Sequence, residues 1–312
     1  MNPSSQNSSQ PADPWAETQP TSLPDTPVRQ PAWAEPPRKS RKGCCCAISI
    51  PGIIFLLALL VYLIAPGRTN ILLLGLDSRE PGSNLGRSDT IILTTIVPSQ
   101  PYVGMLSIPR DLWVDIPGYG VNRINTAHFF AEAEQPGSGP FSAIETVQSN
   151  FGVDVDYFVR LRFDGILDVI DALGGVDVEF SRPMSGYSAG LHHLNGEQAL
   201  ALVRDRAGSD DFTRMERGQL FLKALSRRIL TPSAWAYIPE TWGMIEEMVD
   251  TNIPAWLWPR LGIAILRVGA DGWDGRVIDR EMVNPFTTAG GAQVLGPNWE
   301  QINPVLLEMF GQ

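Results

Sequence analysis

The sequence is poor in histidine, and its cysteines are confined to one short stretch. It has three histidines, and its three cysteines are the consecutive residues Cys44 to Cys46. These counts disfavour a histidine metal site and a disulfide-stapled scaffold. No P-loop pattern is present. The formal net charge of −10 argues against a nucleic-acid partner held by bulk charge.

Lysine is equally scarce in the C-terminal region. After residue 67 the only lysine is Lys223, so nearly all the cations there are arginines. The planar guanidinium of arginine matches phosphate and carboxylate groups. This bias favours a role in anion binding, although the composition of a GC-rich genome would produce the same bias.

Three segments of the chain differ in composition. Residues 1–43 are rich in Pro, Ser, Gln and Asn, which predicts a disordered cytoplasmic tail. Residues 44–67 contain an uncharged apolar stretch from Ala47 to Ala65, long enough to cross a membrane as a helix. Residues 68–312 then form an extracytoplasmic domain. A cleaved signal peptide is the alternative, and the long polar tail before the apolar stretch disfavours it.

The charges around the apolar stretch predict its orientation. Four cations precede it and only Arg68 follows closely, so the positive-inside rule places the N-terminus in the cytoplasm of a single-pass protein of the bacterial cell membrane. The cysteines Cys44 to Cys46 lie at the membrane entrance. They are either lipidated or passive residues at the bilayer boundary.

From Asn70 onward the pattern is that of an α/β fold. Apolar runs predict interior strands at ILLLGL, TIILTTIV and YVGMLSIP. The alternating segment YFVRLRF, with Arg160 and Arg162 on one face, predicts a half-exposed strand, and VDVEF predicts another. Helical patterns follow at FSAIETVQSNFG, DGILDVIDALGG, LNGEQALALV and roughly 212–229. Several connections are too short for parallel crossovers, so we expect a mixed sheet covered by helices on both faces.

Four polar clusters are candidates for a functional site. They are the loop with Asp77, Arg79, Arg87 and Asp89; SIPRD with Arg110 and Asp111, followed by Arg123 in NRIN; RDR, Arg204 to Arg206; and DFTRMERGQ, Asp211 to Gln219. The clusters contain many arginines, a few aspartates and no obvious nucleophile. That composition suits phosphoryl transfer, which depends on charge neutralisation and positioning more than on covalent chemistry.

Two of these clusters allow a more specific reading. If Asp210 or Asp211 caps a helix, Arg214 and Arg217 lie on one face near its N-terminus, where an anion would be held. The alternative is that Arg214 pairs with Asp210 and Arg217 lies in solvent. Asp77 and Asp89 could hold Mg²⁺, or they could form local ion pairs with Arg79 and Arg87.

Seven motifs occur in an order typical of one family. They are NILLLGLDSR, GRSDTIIL, LSIPRD, RINTAHFF, DALGGVDVEF, HHLNGEQALALVRDR and DFTRMERGQ. On these motifs the chain resembles the LytR-CpsA-Psr family over roughly Asn70 to Leu230, and more loosely to its end. The resemblance departs at His128, where members commonly carry an aromatic residue, and at Gly218, where a glutamine is usual.

The resemblance implies a fold and an activity. The fold would be a three-layer α/β/α sandwich with a mixed central sheet, preceded by one transmembrane helix, with an apolar pocket for a lipid. Members resemble membrane-anchored phosphotransferases that move a glycopolymer, such as teichoic acid, from a polyprenyl-pyrophosphate carrier to a peptidoglycan hydroxyl. The implied partners are that carrier, peptidoglycan and the membrane. A pyrophosphate hydrolase and a non-catalytic binder of phosphorylated polymers are the alternatives.

The resemblance also assigns roles residue by residue. Asp77 and Asp89 would hold Mg²⁺, with Mn²⁺ as an alternative ion. Arg87, Arg110, Arg204, Arg206 and Arg217 would bind and neutralise the phosphates, and Arg79, Arg123, Arg214 and Gln219 would complete the polar shell. A general base is needed to activate the hydroxyl, and the sequence does not choose between Asp89 and Asp111.

Overall fold

The fold was obtained as a computed structural model that describes residues 45–64, 67–76, 83–163, 165–205 and 211–311. Asp77, Arg79, Arg206 and Asp210 lie outside the described residues. The chain divides into two compact units, residues 1–52 and 53–312. Of the first unit, only the helical residues after Cys44 are described.

Helix α1 spans Cys45–Ile64 and is 20 residues long. No helix in the described part of the chain is both long and apolar enough to cross a membrane. The span predicted over residues 44–67 is therefore not confirmed.

The second unit contains twelve strands among its described residues. They are β1 Thr69–Leu76, β2 Ser88–Val97, β3 Tyr102–Ser107, β4 Trp113–Ile116, β5 Gly120–Arg123, β6 Tyr157–Arg162, β7 Val176–Phe180, β8 Gly190–Leu194, β9 Val249–Thr251, β10 Asp274–Val277, β11 Val283–Thr287 and β12 Gln293–Pro297. The strands predicted from apolar runs and from alternation are all present.

The remaining helices follow in chain order. They are α2 Thr126–Glu134, α3 Gly139–Phe151, α4 Ile166–Ala172, α5 Gly196–Arg204, α6 Asp211–Leu230, α7 Ile238–Met248, α8 Trp258–Val268 and α9 Trp299–Phe310. Short 3₁₀ turns lie at Pro232–Ala234, Ala255–Leu257 and Ala270–Gly272.

Six strands form one central sheet in the order β10-β3-β2-β1-β6-β9. β2 runs antiparallel to both β1 and β3, whereas β6 is parallel to β1 and β10 is parallel to β3. The predicted mixed sheet is thus confirmed. Three two-stranded sheets, β4-β5, β7-β8 and β11-β12, lie outside it.

Helices cover both faces of this sheet. Successive side chains of a strand point to opposite faces, and in β1 Leu72 and Leu74 join a buried cluster with residues of α3 and α9. Ile71, on the other face, joins a cluster with Leu257 and Leu261, at the start of α8 and within it. A third cluster unites α4, α5 and α6 with the β7-β8 hairpin. The three-layer arrangement follows from this alternation.

Local signals in the sequence account for several helix ends. The side chain of Asn195 caps α5 by accepting from the backbone amide of Gln198. The side chain of Gln198 in turn accepts from the backbone amide of Asn195, so the predicted capping box is confirmed. Gly174 and Gly175 follow α4 with φ of 79° and 87°. Glycine adopts these left-handed values without steric cost, which explains why the helix stops there.

The prediction of a half-exposed β6 with its arginines outward is wrong for Arg160. Its side chain is 3% exposed and pairs with Glu132 at 3.1 Å. It also pairs with Asp250 of β9. β6 lies inside the sheet, between β1 and β9. Helix α2, which carries Glu132, covers the face that alternation alone assigned to solvent.

His128 of α2 joins the same buried network. Its Nδ1 donates to the carbonyl of Gly86 at 2.9 Å, and its Nε2 lies 3.3 Å from a guanidinium nitrogen of Arg160. Burial is the largest effect on the pKa of His128 and lowers it, and the charge of Arg160 lowers it further. The hydrogen bond to Gly86 and the charges of Glu132 and Asp250 raise the pKa, but each by less than burial lowers it. The neutral imidazole therefore fixes the loop that leads into β2.

This lowered pKa predicts a pH dependence of folding. As pH falls through about 6.5, an unfolded histidine gains a proton that the folded one resists, so stability falls by at most ~1.4 kcal/mol per pH unit. The substitution His128→Gln keeps a donor and an acceptor but does not titrate. We expect urea unfolding between pH 7 and pH 5 to show a shallower loss for this variant. Parallel curves for the two proteins would contradict the assignment.

Candidate functional site

Strand ends bring the predicted polar residues together. Ile92 of β2 is paired with Ser107 of β3, and the amide of Ile108 donates to the carbonyl of Ile91 at 2.9 Å. Asp89, at the start of β2, therefore lies beside the loop that carries Arg110. The backbone of Asn125, two residues after β5, donates to the carbonyl of Arg110 at 3.3 Å.

Arg110 lies at the centre of the cluster and contacts three carboxylates. Its guanidinium lies 2.9 Å from Asp89, 3.4 Å from Asp111 and 3.3 Å from Asp211. Burial disfavours the charged guanidinium, but the hydrogen bond to Asp89 and the nearby negative charges outweigh this and raise the pKa of Arg110. The side chain therefore remains a fixed cation.

Asp111 lies between two arginines and a second carboxyl group. Its Oδ1 is 3.0 Å from Nε of Arg123, and Arg110 contacts its other oxygen. Burial raises the pKa of Asp111, as does the neighbouring carboxyl group of Asp211; Arg110 and Arg123 oppose the rise. A carboxyl group with a raised pKa is suited to accept the proton of a hydroxyl group.

The two arginines of α6 have different surroundings. Arg214 pairs with Asp211 at 3.1 Å, one turn earlier. Arg217 is 1% exposed, so the alternative that placed it in solvent is wrong. Its guanidinium donates to the backbone carbonyl of Asp205 at 2.6 Å and lies 3.3 Å from the side-chain carboxylate of the same residue. Its Nε has no hydrogen-bond partner among the described residues, which leaves a buried donor for an anion.

The remaining predicted residues are exposed at the surface, buried among other partners, or outside the described residues. Asp77, Arg79 and Arg206 fall outside the described residues. Arg87 and Arg204 are exposed. Gln219 is buried, and its amide nitrogen donates to Ser107 and to the carbonyl of Arg276, which ties α6 to β3 and β10. The structure thus gives no support to a phosphate contact by Gln219.

The predicted metal site can be tested only in part. Within the described residues, no group of three or more His, Cys, Asp or Glu side chains is placed to hold a metal ion. Asp89 uses Oδ1 to accept from Arg110. Mg²⁺ often takes only one or two protein carboxylates, so Oδ2 of Asp89 suits one ligand. Its predicted companion, Asp77, lies outside the described residues.

An apolar pocket lies between the sheet and helices α5 and α6. Its walls include Leu73, Gly75 and Thr90 of the sheet, Phe163, and Gly218 of α6. The free volume is about 20 Å³, so a hydrocarbon chain would enter only if the wall moved. Thr90 follows Asp89, and Gly218 follows Arg217, so the pocket adjoins residues of the charged cluster.

A wide cleft adjoins Asp111. Its volume is about 570 Å³, and Asp111, Arg123 and Asp211 contribute charged side chains to its lining. Most of the remaining lining comes from the β11-β12 hairpin. This hairpin, the part played by Asp211 in the cluster and the residues that line the apolar pocket were not identified from the sequence. The Gly290-Gly291 pair between two short β-prone runs was an available signal for the hairpin.

The fold and the cluster together define a class of protein: an α/β domain with an arginine and aspartate site beside an apolar pocket. The family model described as the LytR_cpsA_psr family matches residues 63–274, more than half of the chain. The chain belongs to this family, which confirms the resemblance seen in the sequence. Residues after 274, including the β11-β12 hairpin and α9, lie outside the match.

Individual relatives agree with this assignment. The polyisoprenyl-teichoic acid–peptidoglycan teichoic acid transferase TagU of Oceanobacillus iheyensis is 36% identical over 190 residues, which are 59% of this chain and 58% of that protein. The match thus spans less than two thirds of the relative's length.

Solved structures show the same fold. The crystal structure of B. subtilis TagV is 28% identical, with a TM-score of 0.62, and the match covers 78% of this chain and 97% of that one. Protein gbs0355 of Streptococcus agalactiae has a TM-score of 0.64 at 22% identity, with 78% and 88% covered. At that identity the second likeness shows the fold alone.

Proposed function

We propose that this protein is a phosphotransferase that moves a glycopolymer from a polyprenyl-pyrophosphate carrier to a hydroxyl group of peptidoglycan. The contact of Arg110 with Asp89, Asp111 and Asp211, next to an apolar pocket, carries the proposal. The name of the O. iheyensis relative supports the type of substrate. A site of this composition can neutralise phosphate oxygens while the adjacent pocket receives a lipid.

Each group has a part in the proposed reaction. The acceptor hydroxyl oxygen attacks the sugar-linked phosphorus, a new P–O bond forms, and the bond to the bridging oxygen breaks. Polyprenyl phosphate leaves with that electron pair, and the hydroxyl proton passes to a carboxylate. Arg110 and the buried guanidinium of Arg217 neutralise the phosphates.

The structure favours one candidate for the general base. Asp89 accepts a hydrogen bond from Arg110 at 2.9 Å, which occupies one of its two oxygens. Asp111 lines the open cleft and has a raised pKa, caused first by burial. We therefore assign the base to Asp111, with Asp211 as the neighbouring carboxyl group that helps to raise its pKa.

Magnesium and membrane attachment complete the proposal. Asp89, together with Asp77, would hold Mg²⁺, which when bound adds positive charge next to the pyrophosphate. A membrane anchor formed by residues 47–65 is supported by their apolar sequence and by the exposed apolar side chains of α1 between Ile53 and Val61. Anchoring would keep the site next to a lipid confined to the same membrane.

Product analysis tests the proposal. The full chain is incubated with a pyrophosphate-linked lipid donor and Mg²⁺, with and without a peptidoglycan acceptor. We expect release of polyprenyl phosphate and a phosphodiester-linked product that depends on the acceptor. Equal release without the acceptor would indicate a hydrolase, and donor binding without turnover would indicate a non-catalytic binder.

Gly218 provides a test of the pocket. A Cβ at this position would meet no atom within 4 Å, so the first carbon of a side chain fits there, and a larger side chain would take up space in the pocket. We expect Gly218→Leu to weaken donor binding by about tenfold or more, because it displaces about two lipid methylene groups, each worth ~0.8 kcal/mol. The measurement is donor affinity, with a short-chain donor for comparison.

Gly218→Ala is the matched control. It should stabilise α6 by up to ~1 kcal/mol through helix propensity, while leaving most of the pocket open. If Gly218→Leu binds long-chain and short-chain donors with unchanged affinity, the pocket does not receive the lipid.

A further inference from the structure

The cleft beside Asp111 has two walls of different chemistry. Asp111, Arg123 and Asp211 form the charged wall, and the β11-β12 hairpin contributes Phe286 and Gln293 to the rest of the lining. Phe286 is 42% exposed. At about 570 Å³ the cleft is within the size range of small-molecule sites.

The hairpin is held firmly against the reactive cluster. The amide of Leu295 donates to the carbonyl of Asp111 at 3.1 Å. Arg123 donates to the carbonyl of Gln293 at 2.8 Å, and the same guanidinium pairs with Asp111 at 3.0 Å. A ligand on the hairpin is therefore placed at a fixed distance from the Asp111 carboxyl.

The exposed groups of the hairpin suit a saccharide. The ring of Phe286 packs edge-on against Trp113, with centroids 6.4 Å apart and planes at 88°, so its orientation is fixed. The apolar face of a sugar ring can pack on such an aromatic ring, and the side chains of Thr287 and Gln293 provide polar partners for hydroxyl and amide groups.

We infer that this cleft is the acceptor subsite and that it binds the hydroxyl-bearing glycan chain that receives the transferred polymer. Phe286 is the platform for one sugar ring, and Asp111 takes the proton of the attacking hydroxyl as the new P–O bond forms. This inference rests on the proposed function. It goes beyond the family match, because the hairpin follows residue 274.

The charged wall favours the acceptor over the donor glycan. A nucleophilic hydroxyl needs a base, and the carboxyl groups of Asp111 and Asp211 both face the cleft. The reacting oxygen of the donor sugar is already esterified to phosphate and carries no proton, so it needs no base. The donor lipid is accounted for by the apolar pocket.

Phe286→Ala and Gln293→Ala test the subsite, and Phe141→Ala is a matched control. Phe141 is also an exposed phenylalanine, 54% exposed, with an edge contact to Phe158, but it lies on α3. Gln293→Ala retains the backbone carbonyl that binds Arg123. Thermal unfolding of each variant shows whether the hairpin change costs more than the control.

Two readouts separate this inference from the proposed function. The first is NMR titration with a soluble disaccharide of N-acetylglucosamine and N-acetylmuramic acid, and the second is the KM for acceptor and for donor. We expect Phe286→Ala to weaken disaccharide binding and raise the acceptor KM by about fivefold to tenfold, with no matching rise in donor KM. Gln293→Ala should act in the same direction, and Phe141→Ala should match the wild type.

The outcomes are distinguishable. If the wild type releases no polyprenyl phosphate, the proposed function fails, and disaccharide binding still decides the subsite. If the wild type transfers normally and both hairpin variants bind and react like Phe141→Ala, only the acceptor subsite is overturned. A rise in donor KM instead of acceptor KM would assign the cleft to the donor glycan.

Discussion

Arg110→Ala is expected to lower the rate of polyprenyl phosphate release by about 10²- to 10³-fold, which corresponds to ~2.7–4 kcal/mol of lost transition-state stabilisation. Arg110 is the one described side chain that contacts Asp89, Asp111 and Asp211 together. Its removal takes away a preorganised cation and leaves three neighbouring carboxylates without it. Steady-state rates with a lipid-pyrophosphate donor measure the loss.

Two further variants show whether the loss is specific. Arg110→Lys keeps the charge without the planar fork, so it should recover only part of the rate. Arg182→Ala removes an exposed arginine that pairs with Glu216 at the surface, and it should react like the wild type. A loss of only one or two kcal/mol for Arg110→Ala would make Arg110 a peripheral positioning residue.

Arg160→Met is expected to destabilise the folded protein by about 3–5 kcal/mol, because it leaves the buried carboxylate of Glu132 without its cation. Glu132 is 5% exposed, and its other partners are the amides of Gly137 and Gly139. The measurement is the free energy of unfolding in urea.

The double variant Arg160→Met with Glu132→Gln tests the cause. Removing both charges takes away the unpaired buried ion, so the double variant should be more stable than Arg160→Met alone. If the two variants are equally unstable, packing of the long arginine side chain accounts for the cost.

Much of the fold was predictable because its signals are local. The apolar runs of β1, β2 and β3, and the Asn195 and Gln198 pair of α5, depend on neighbouring residues only. The burial of Arg160 was not predictable in this way. Its partners, Glu132 and Asp250, are 28 and 90 residues away in the sequence. The periodicity of a short segment does not predict contacts over such distances in the sequence.

The candidate site divides along the same line. Arg110, Asp89 and Asp111 were identified in sequence, and the pairing of β2 with β3 brings them together. Asp211 was seen as a helix cap, whereas the structure places it against Arg110. The apolar pocket was expected from the resemblance, but its lining could not be predicted, because wall residues such as Leu73 and Phe163 have the composition of ordinary core.

Helix α9 packs against the start of the domain, next to β1. Arg68, next to β1, donates to the carbonyl of Met309 in α9, and the two residues are 241 positions apart. Ile302, Leu306 and Phe310 share a buried cluster with Leu72 and Leu74. A chain made from its N-terminus therefore leaves part of one face of β1 uncovered until α9 has been made. We expect such distant contacts to make folding slow and to expose the nascent domain to aggregation. The yield of folded domain should therefore depend on how soon α9 packs against β1.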